Sequence, residues 1–317
     1  MHGIAASSTY APEDTPRASG WTEVTRKDLE AARRRGLRIV VDDVELGLEP
    51  FRPKAFGPNQ EFEVPRTTLW SFPDRGSWAT HRGNYRGNWS PYIPRTLILK
   101  YTEPGQLVLD PMCGSGTTLV ESRLLGRNAV GADINPDAAL LSRARLDFDI
   151  PSEHLPWGEG SARTFRGDAT NLGVFSDGSV DLVATHPPYA HIIKYTRGEV
   201  DGDLSRMAFP LFLEAIEQVA KEAFRVLRPG KHCAVLAGDT RKHRHYVPVS
   251  LGILSSFLKA GFVLKEDIIK AQHNMKTTRE GWGGRYDFYL LAHEHLFIFR
   301  KPLDAERAGL RWSTRWW

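Results

Sequence analysis

Apolar positions in this chain follow two rhythms that alternate from residue 107 onward. Short solid runs, such as Leu107-Val-Leu109 and Val180-Asp-Leu-Val-Ala-Thr185, give way to longer stretches with helical spacing. The runs predict strands at 107–110, 128–133, 163–167, 180–185, 232–237, 262–269 and 287–299. The longer stretches predict helices at 116–126, 136–147, 203–227 and 247–260. Such alternation argues an α/β fold, a seven-stranded and mostly parallel sheet covered on both faces. Arg228-Pro-Gly230 closes the long third helix of this series with breaker residues. The stretch 287–299 is long for one strand and is expected to pair, antiparallel and at the sheet edge, with 262–269. Upstream, Thr25–Arg35 reads as a helix closed by Gly36, and Leu37–Val41 as a strand. Residues 1–20, rich in Ser, Pro and Ala, read as a disordered tail. Residues 50–95, rich in Pro, Gly, Trp and Arg, read as irregular.

Candidate chemistry sits at the ends of the strands. Gly114 and Gly116 lie between the first strand of the series and the helix after it, where glycine permits a tight turn and close backbone approach to a ligand. The helix start beside them suits a carboxylate or phosphate. Asp110 ends that strand, where a carboxylate can face a ligand ammonium. Asp133 ends the next strand, 23 residues on, at a distance that suits ribose hydroxyls. Asp168 ends the third, placed for an adenine amine. A lone Gly-x-Gly also marks dinucleotide sites and plain packing turns. Leu119 holds the place of a third glycine at dinucleotide spacing, which lowers the case for a nicotinamide cofactor.

His186-Pro-Pro-Tyr189 follows the strand at 180–185. Two prolines fix φ and leave carbonyls without competing donors. A base amine needs acceptors around it so that its lone pair can turn toward a methyl group. The Pro187 carbonyl and an acceptor nitrogen of neutral His186 supply them, and Tyr189 offers a stacking face. The alternative is a Pro-Pro turn with a packed tyrosine. Neither Cys113 nor Cys233 stands in the context of a carbon-5 cytosine nucleophile.

Composition narrows the class. At 317 residues, 41% hydrophobic and 25% charged, the chain reads as an ordinary soluble globular protein. No apolar run approaches the ~18 residues of a membrane span, and the first residues lack a signal-peptide pattern. Two cysteines outside any metal-type spacing suggest reduced thiols in the cytoplasm and no metal site. A net charge of +4 is no nucleic-acid signature, but its distribution is uneven. Arg75–Lys100 holds five basic residues and no acid, Arg241-Lys-His-Arg-His245 is a compact basic run, and Lys270–Arg285 adds four against one Glu. Trp78, Tyr85, Trp89, Tyr92, Trp282 and Tyr286 interleave with them, a pairing that suits phosphates and unstacked bases. Solvated loops with structural aromatics would look the same.

At these residues the chain resembles the DNA amino-methyltransferases, which make N4-methylcytosine or N6-methyladenine with S-adenosylmethionine. Val108-Leu-Asp-Pro-Met-Cys-Gly-Ser-Gly-Thr-Thr118 resembles their cofactor motif, and Thr185-His-Pro-Pro-Tyr189 their catalytic motif. Gly87-Asn-Trp-Ser-Pro-Tyr-Ile-Pro-Arg-Thr-Leu-Ile98 resembles the segment that completes the methionine pocket. The likeness spans roughly residues 64–302 and follows the γ-class motif order. It implies a Rossmann-like, class I methyltransferase domain over 86–302, with an N-terminal extension at 21–85 and a C-terminal tail at 303–317. It implies cofactor contacts from Asn88, Trp89, Ser90, Asp110, Pro111, Met112, Cys113, Gly114, Ser115, Gly116, Thr117, Asp133, Ile134, Asp168 and Ala169, and catalytic roles for His186, Pro187, Pro188 and Tyr189.

Two positions depart from the family pattern. Met112 replaces the usual Phe with another soft apolar side chain. His186 replaces Asp, Asn or Ser, which leaves the base open between cytosine N4, favoured by Thr185, and adenine N6. No recognition domain of ordinary size is visible, so 50–95, His191–Asp203, Asp239–Tyr246 and Gln272–Tyr286 are the candidate readers, with Arg241, Lys242, Arg244, Lys276 and Arg279 on phosphates. The target base must leave the helix, at an unstacking cost of a few kcal/mol. The implied partners are double-stranded DNA and a cognate restriction or specificity subunit, with the chain as monomer or homodimer. RNA base methylation and a catalytically silent DNA-binding subunit are the alternatives.

Overall fold

The short apolar runs become strands of one nine-stranded sheet in the computed structural model, which describes residues 20–41, 44–59, 62–189, 195–196, 200–273 and 287–306. In chain order the elements are β1 (Thr22–Glu23), α1 (Arg26–Arg34), β2 (Ile39–Val41), β3 (Val44–Leu46), β4 (Leu69–Ser71), α2 (Tyr92–Tyr101), β5 (Leu107–Asp110), α3 (Thr117–Leu124), β6 (Asn128–Asp133), α4 (Pro136–Arg145), β7 (Ala162–Arg166) and β8 (Val180–Thr185). They continue with α5 (Phe209–Val226), β9 (Leu227–Ala237), β10 (Thr240–Lys242), β11 (His245–Val247), α6 (Val249–Lys259), β12 (Val263–Ala271) and β13 (His293–Arg300).

The sheet order is β1-β7-β6-β5-β8-β9-β13-β12-β4. Strands β7, β6, β5, β8 and β9 run parallel; β13 adds antiparallel to β9, and β12 antiparallel to β13, so that β12 again runs with the parallel set. From β5 the chain winds outward to β6 and β7, then returns to place β8 on the other side. The switch point therefore lies between β5 and β8, where an open α/β sheet leaves a crevice at its strand ends.

Residue alternation explains why both faces are covered. Leu107, Leu109, Val183, Val235, Phe297 and Phe299 pack with Phe212, Ile216 and Ala220 of α5 and Ile253 and Phe257 of α6. Their neighbours Val108, Leu182, Ala184, Leu236, Leu296 and Ile298 pack with Ile93, Leu97 and Ile98 of α2 on the opposite face. Each fully buried Phe or Leu contributes about 1.5–3 kcal/mol. No helix among the described residues is long and apolar enough to cross a membrane.

The structure differs from expectation in several elements. The sheet has nine strands rather than seven, because β1 pairs with β7 and β4 with β12, one short strand at each edge. With β4 outside it, β12 is not the edge, and β13 lies inside, between β9 and β12. Helix α2 falls within a region expected to start irregular; Pro94 sits in its first turn, where a missing N–H removes no helical bond. Helix α5 starts at Phe209 instead of 203, with Pro210 in its first turn. Ahead of it Leu204–Arg206 makes a single 3-10 turn, capped by the Asp203 carboxylate on the Ser205 amide at 2.8 Å. Asp239–Tyr246, expected as a loop, holds most of the β10–β11 hairpin.

Candidate active site

Strand β5 delivers Asp110 to the switch point, and the turn after it reverses the chain into α3. Gly114 and Gly116 occupy left-handed backbone, at φ +50° and +82°. A Cβ on Gly116 would lie 2.4 Å from Ser142 Oγ on α4, so the turn is tight in both conformation and space. The Gly114 amide donates to Asp133 Oδ2 at 3.0 Å, and the Asn135 amide donates to Oδ1 at 2.9 Å. Asp110 accepts from the Thr118 hydroxyl at 2.5 Å and the Met112 amide at 3.3 Å. Burial pushes the Asp110 carboxyl up to about 7 and that of Asp133 up to about 6. Asp168, past the end of β7, accepts from the Thr170 amide at 2.8 Å, and Trp21 ties this loop down by donating to the Asn171 carbonyl at 2.9 Å.

These carboxylates face one cleft of about 780 Å³, its open mouth included. Its described lining brings together Asn88, Trp89, Asp110, Pro111, Met112, Cys113, Gly114, Ser115, Thr117, Asp133, Ile134, Asp168 and Ala169, with His186 and Pro188. Asp203 adds a fourth aspartate, and the described lining holds no Lys or Arg. Ser90 stands behind this lining, its hydroxyl donating to the Arg75 carbonyl at 2.8 Å.

Gly87, Asn88, Trp89 and His186 also line a second cleft of about 490 Å³, whose far side is Leu236, Lys270, Gln272, His273 and Glu294. These four residues are thus a partition between two compartments. The His186 ring stacks on Trp89, centroids 6.0 Å apart at 28°. Its Nε2 lies 2.5 Å from the Tyr189 hydroxyl, which donates to Glu294 Oε1 at 3.0 Å. Glu294 Oε2 accepts from Lys270 Nζ at 2.8 Å; the two residues face each other across β12 and β13. Burial lowers His186 to about 4, so the ring is neutral at physiological pH. Pro187 is buried. Tyr189 is not among the described residues lining either compartment; it packs on Gly238, where a Cβ would meet its ring at 2.7 Å.

The partition is held from behind. Arg75 donates to the Trp89 carbonyl at 2.9 Å, and the Asn88 amide reaches the Arg82 carbonyl at 3.0 Å. Glu121 of α3, fully buried, accepts from Trp78 Nε1 at 2.6 Å, His81 Nε2 at 2.7 Å and Arg95 at 2.9 Å. Burial raises its carboxyl, but the bond with His81 and the charge of Arg95 outweigh this and hold it below the usual range.

A family model described as DNA methylase matches residues 13–143, and a methyltransferase-domain model matches residues 109–235. Both models describe methyltransferases, and between them they span residues 13–235. It is 35% identical over 123 residues to a tRNA (guanine(10)-N2)-dimethyltransferase of Methanothermobacter thermautotrophicus, a match covering 38% of this chain and 33% of that protein. It is 34% identical over 67 residues to the Type II methyltransferase M.MjaII of Methanocaldococcus jannaschii, 21% of this chain and 13% of that one. A third relative, the Type II methyltransferase M2.MboI of Moraxella bovis, is 34% identical over 83 residues, 26% of this chain and 30% of that one. The chain thus spans a third or less of the length of these relatives.

S-adenosylmethionine fits the larger compartment on its donor set. Four aspartates without a lining cation suit a ligand carrying ammonium and sulfonium charge, and would repel the pyrophosphate of a dinucleotide. Asp110, Asp133, Asp168 and the glycine turn are the residues that would hold it.

Of the expected phosphate contacts, Arg241, Lys242 and Arg244 lie on the β10–β11 hairpin. Arg241 donates to the Tyr289 carbonyl at 3.0 Å and covers the Phe288 ring, and Arg244 pairs with Asp287 at 2.7 Å; Lys242 is exposed. Lys276 and Arg279 lie outside the described residues. Sequence reasoning missed the roles of Glu121, Asp203 and Glu294. Glu294 did leave a signal: it shares the period-2 face of Leu296 and Ile298, an acid in step with core positions.

Proposed function

We propose that this chain transfers a methyl group from S-adenosylmethionine to the exocyclic amine of a base flipped out of DNA, cytosine N4 ahead of adenine N6. The observation carrying this reading is the shared partition: an acidic cleft for a cationic donor and a second cleft for a flat acceptor, with neutral His186 between them. The bound cofactor supplies a methyl group made electrophilic by its sulfonium. Asp110 would take its ammonium, Asp133 the ribose hydroxyls and Asp168 the adenine amine. The Pro187 carbonyl and His186 accept from the base amine and turn its lone pair toward the methyl. Lys270 in the smaller cleft favours cytosine, which carries two acceptors, N3 and O2, on the edge that bears N4, where adenine carries only N1. Double-stranded DNA, with a cognate restriction or specificity subunit, is the setting this reading implies.

A second reading has its own support: the tRNA guanine-N2 relatives favour an amine on RNA. Mass spectrometry of nucleosides decides. Plasmid DNA and tRNA are incubated separately with the protein and S-adenosylmethionine, then digested. N4-methylcytosine from DNA is the expected product. N6-methyladenine would reassign the base, and N2-methylguanosine from tRNA alone would overturn the DNA reading. No product with bound cofactor would mark a silent subunit. His186→Ala should abolish transfer and leave cofactor binding nearly intact.

A further inference from the structure

We propose that Glu294, held by Lys270, is a positioning residue that fixes the proton of His186 on Nε2, so that Nδ1 carries a bare lone pair for the base amine. The catalytic use of that lone pair rests on the amine-transfer reading above; the proton placement does not.

The argument is one of donors and acceptors. Burial raises the Glu294 carboxyl, but the Lys270 charge outweighs this and, with the hydrogen bonds from Lys270 and Tyr189, keeps it below the usual range. It is therefore ionised and can only accept. Tyr189 has one hydroxyl hydrogen, and it goes to Glu294 Oε1 at 3.0 Å. The 2.5 Å contact between Tyr189 Oη and His186 Nε2 then has one consistent arrangement, with Nε2–H donating to the tyrosine oxygen. A neutral imidazole has a single N–H, so Nδ1 is left as an acceptor. Nδ1 is buried beside the Gly87 backbone and makes no hydrogen bond of full geometry, on a ring that lines both clefts.

During transfer the amine nitrogen forms its bond to the methyl carbon as the carbon–sulfur pair leaves with sulfur. The amine proton passes to Nδ1, and its bonding pair stays on the nitrogen. The imidazolium so formed is stabilised by Glu294 through Tyr189, as a carboxylate stabilises a triad histidine. A plain cross-strand ion pair between Lys270 and Glu294 would have no bearing on the His186 tautomer.

Long-range proton–nitrogen NMR on the full chain with 15N-labelled histidine reads the tautomer directly, the His186 signals being assigned with His186→Asn. No substrate is present, so a failed DNA assay leaves this readout untouched. Wild type should show the Nε2–H form. In Glu294→Gln the amide donates to the tyrosine oxygen, Tyr189 turns its hydrogen to Nε2, and the ring should change to the Nδ1–H form. kcat should fall about 10²-fold, with cofactor affinity and KM unchanged. Lys270→Arg should keep the tautomer. If Glu294→Gln does not fold, Tyr189→Phe serves instead, and should leave a tautomer mixture. The Nδ1–H form in wild type, an unchanged tautomer in both variants, or a changed tautomer with an unchanged kcat would each overturn the proposal.

Discussion

Asp110 and Asp133, raised to about 7 and about 6, are partly protonated near neutral pH in the ligand-free chain. A cationic ligand favours their charged forms, so both values fall on binding. Above pH 7 both are ionised and cofactor affinity is at its plateau. As pH falls through 7 and then 6, protons compete, and affinity should weaken by up to about tenfold per unit for each carboxyl. Calorimetry from pH 5.5 to 8.5, in two buffers of different ionisation heat, gives both the dissociation constant and the proton release. A flat profile would deny these carboxylates a cationic partner. At Gly116 an alanine meets both the left-handed backbone and Ser142. Gly116→Ala should destabilise by at least about 1–2 kcal/mol in thermal melts and weaken cofactor binding. These residues were legible in sequence because glycines and acids at strand ends have few structural reasons to be there. Glu294 was not, because one acid between two histidines looks like a surface residue until its register with Leu296 and Ile298 is known.

At the scale of elements, legibility followed burial. Strands β5 and β8 are covered on both faces and read as solid apolar runs. Strands β1 and β4, of two and three residues, are too short to show a period. Helix α2 hides behind Pro94 and the tryptophan-rich segment that precedes it. That segment forms the partition, and α3 secures it through Glu121, on which Trp78, His81 and Arg95 converge. Removing this buried carboxylate strands a buried cation. Glu121→Ala should cost about 3–5 kcal/mol in denaturant titration, far more than loss of an exposed pair such as Arg38 with Glu45.

Across the whole molecule, the hairpin basic run divides into two kinds of residue. Arg241 and Arg244 are engaged with Tyr289 and Asp287, whereas Lys242 is exposed. Lys242→Ala should lower the slope of log affinity for DNA against log salt by about 1 while leaving the melting temperature unchanged. Arg241→Ala should lower the melting temperature as well, since its side chain also covers Phe288. A Lys242→Ala protein with an unaltered slope would remove the hairpin from the DNA footprint.

Residues of the segment 22–71 supply the outermost strand at both ends of the sheet, β1 beside β7 and β4 beside β12. They behave as a strap that closes two open seams from one length of chain. Cutting the strap would bare two rows of backbone donors and acceptors at once, and protein trimmed to residue 72 should stack edge to edge into aggregates rather than simply lose activity.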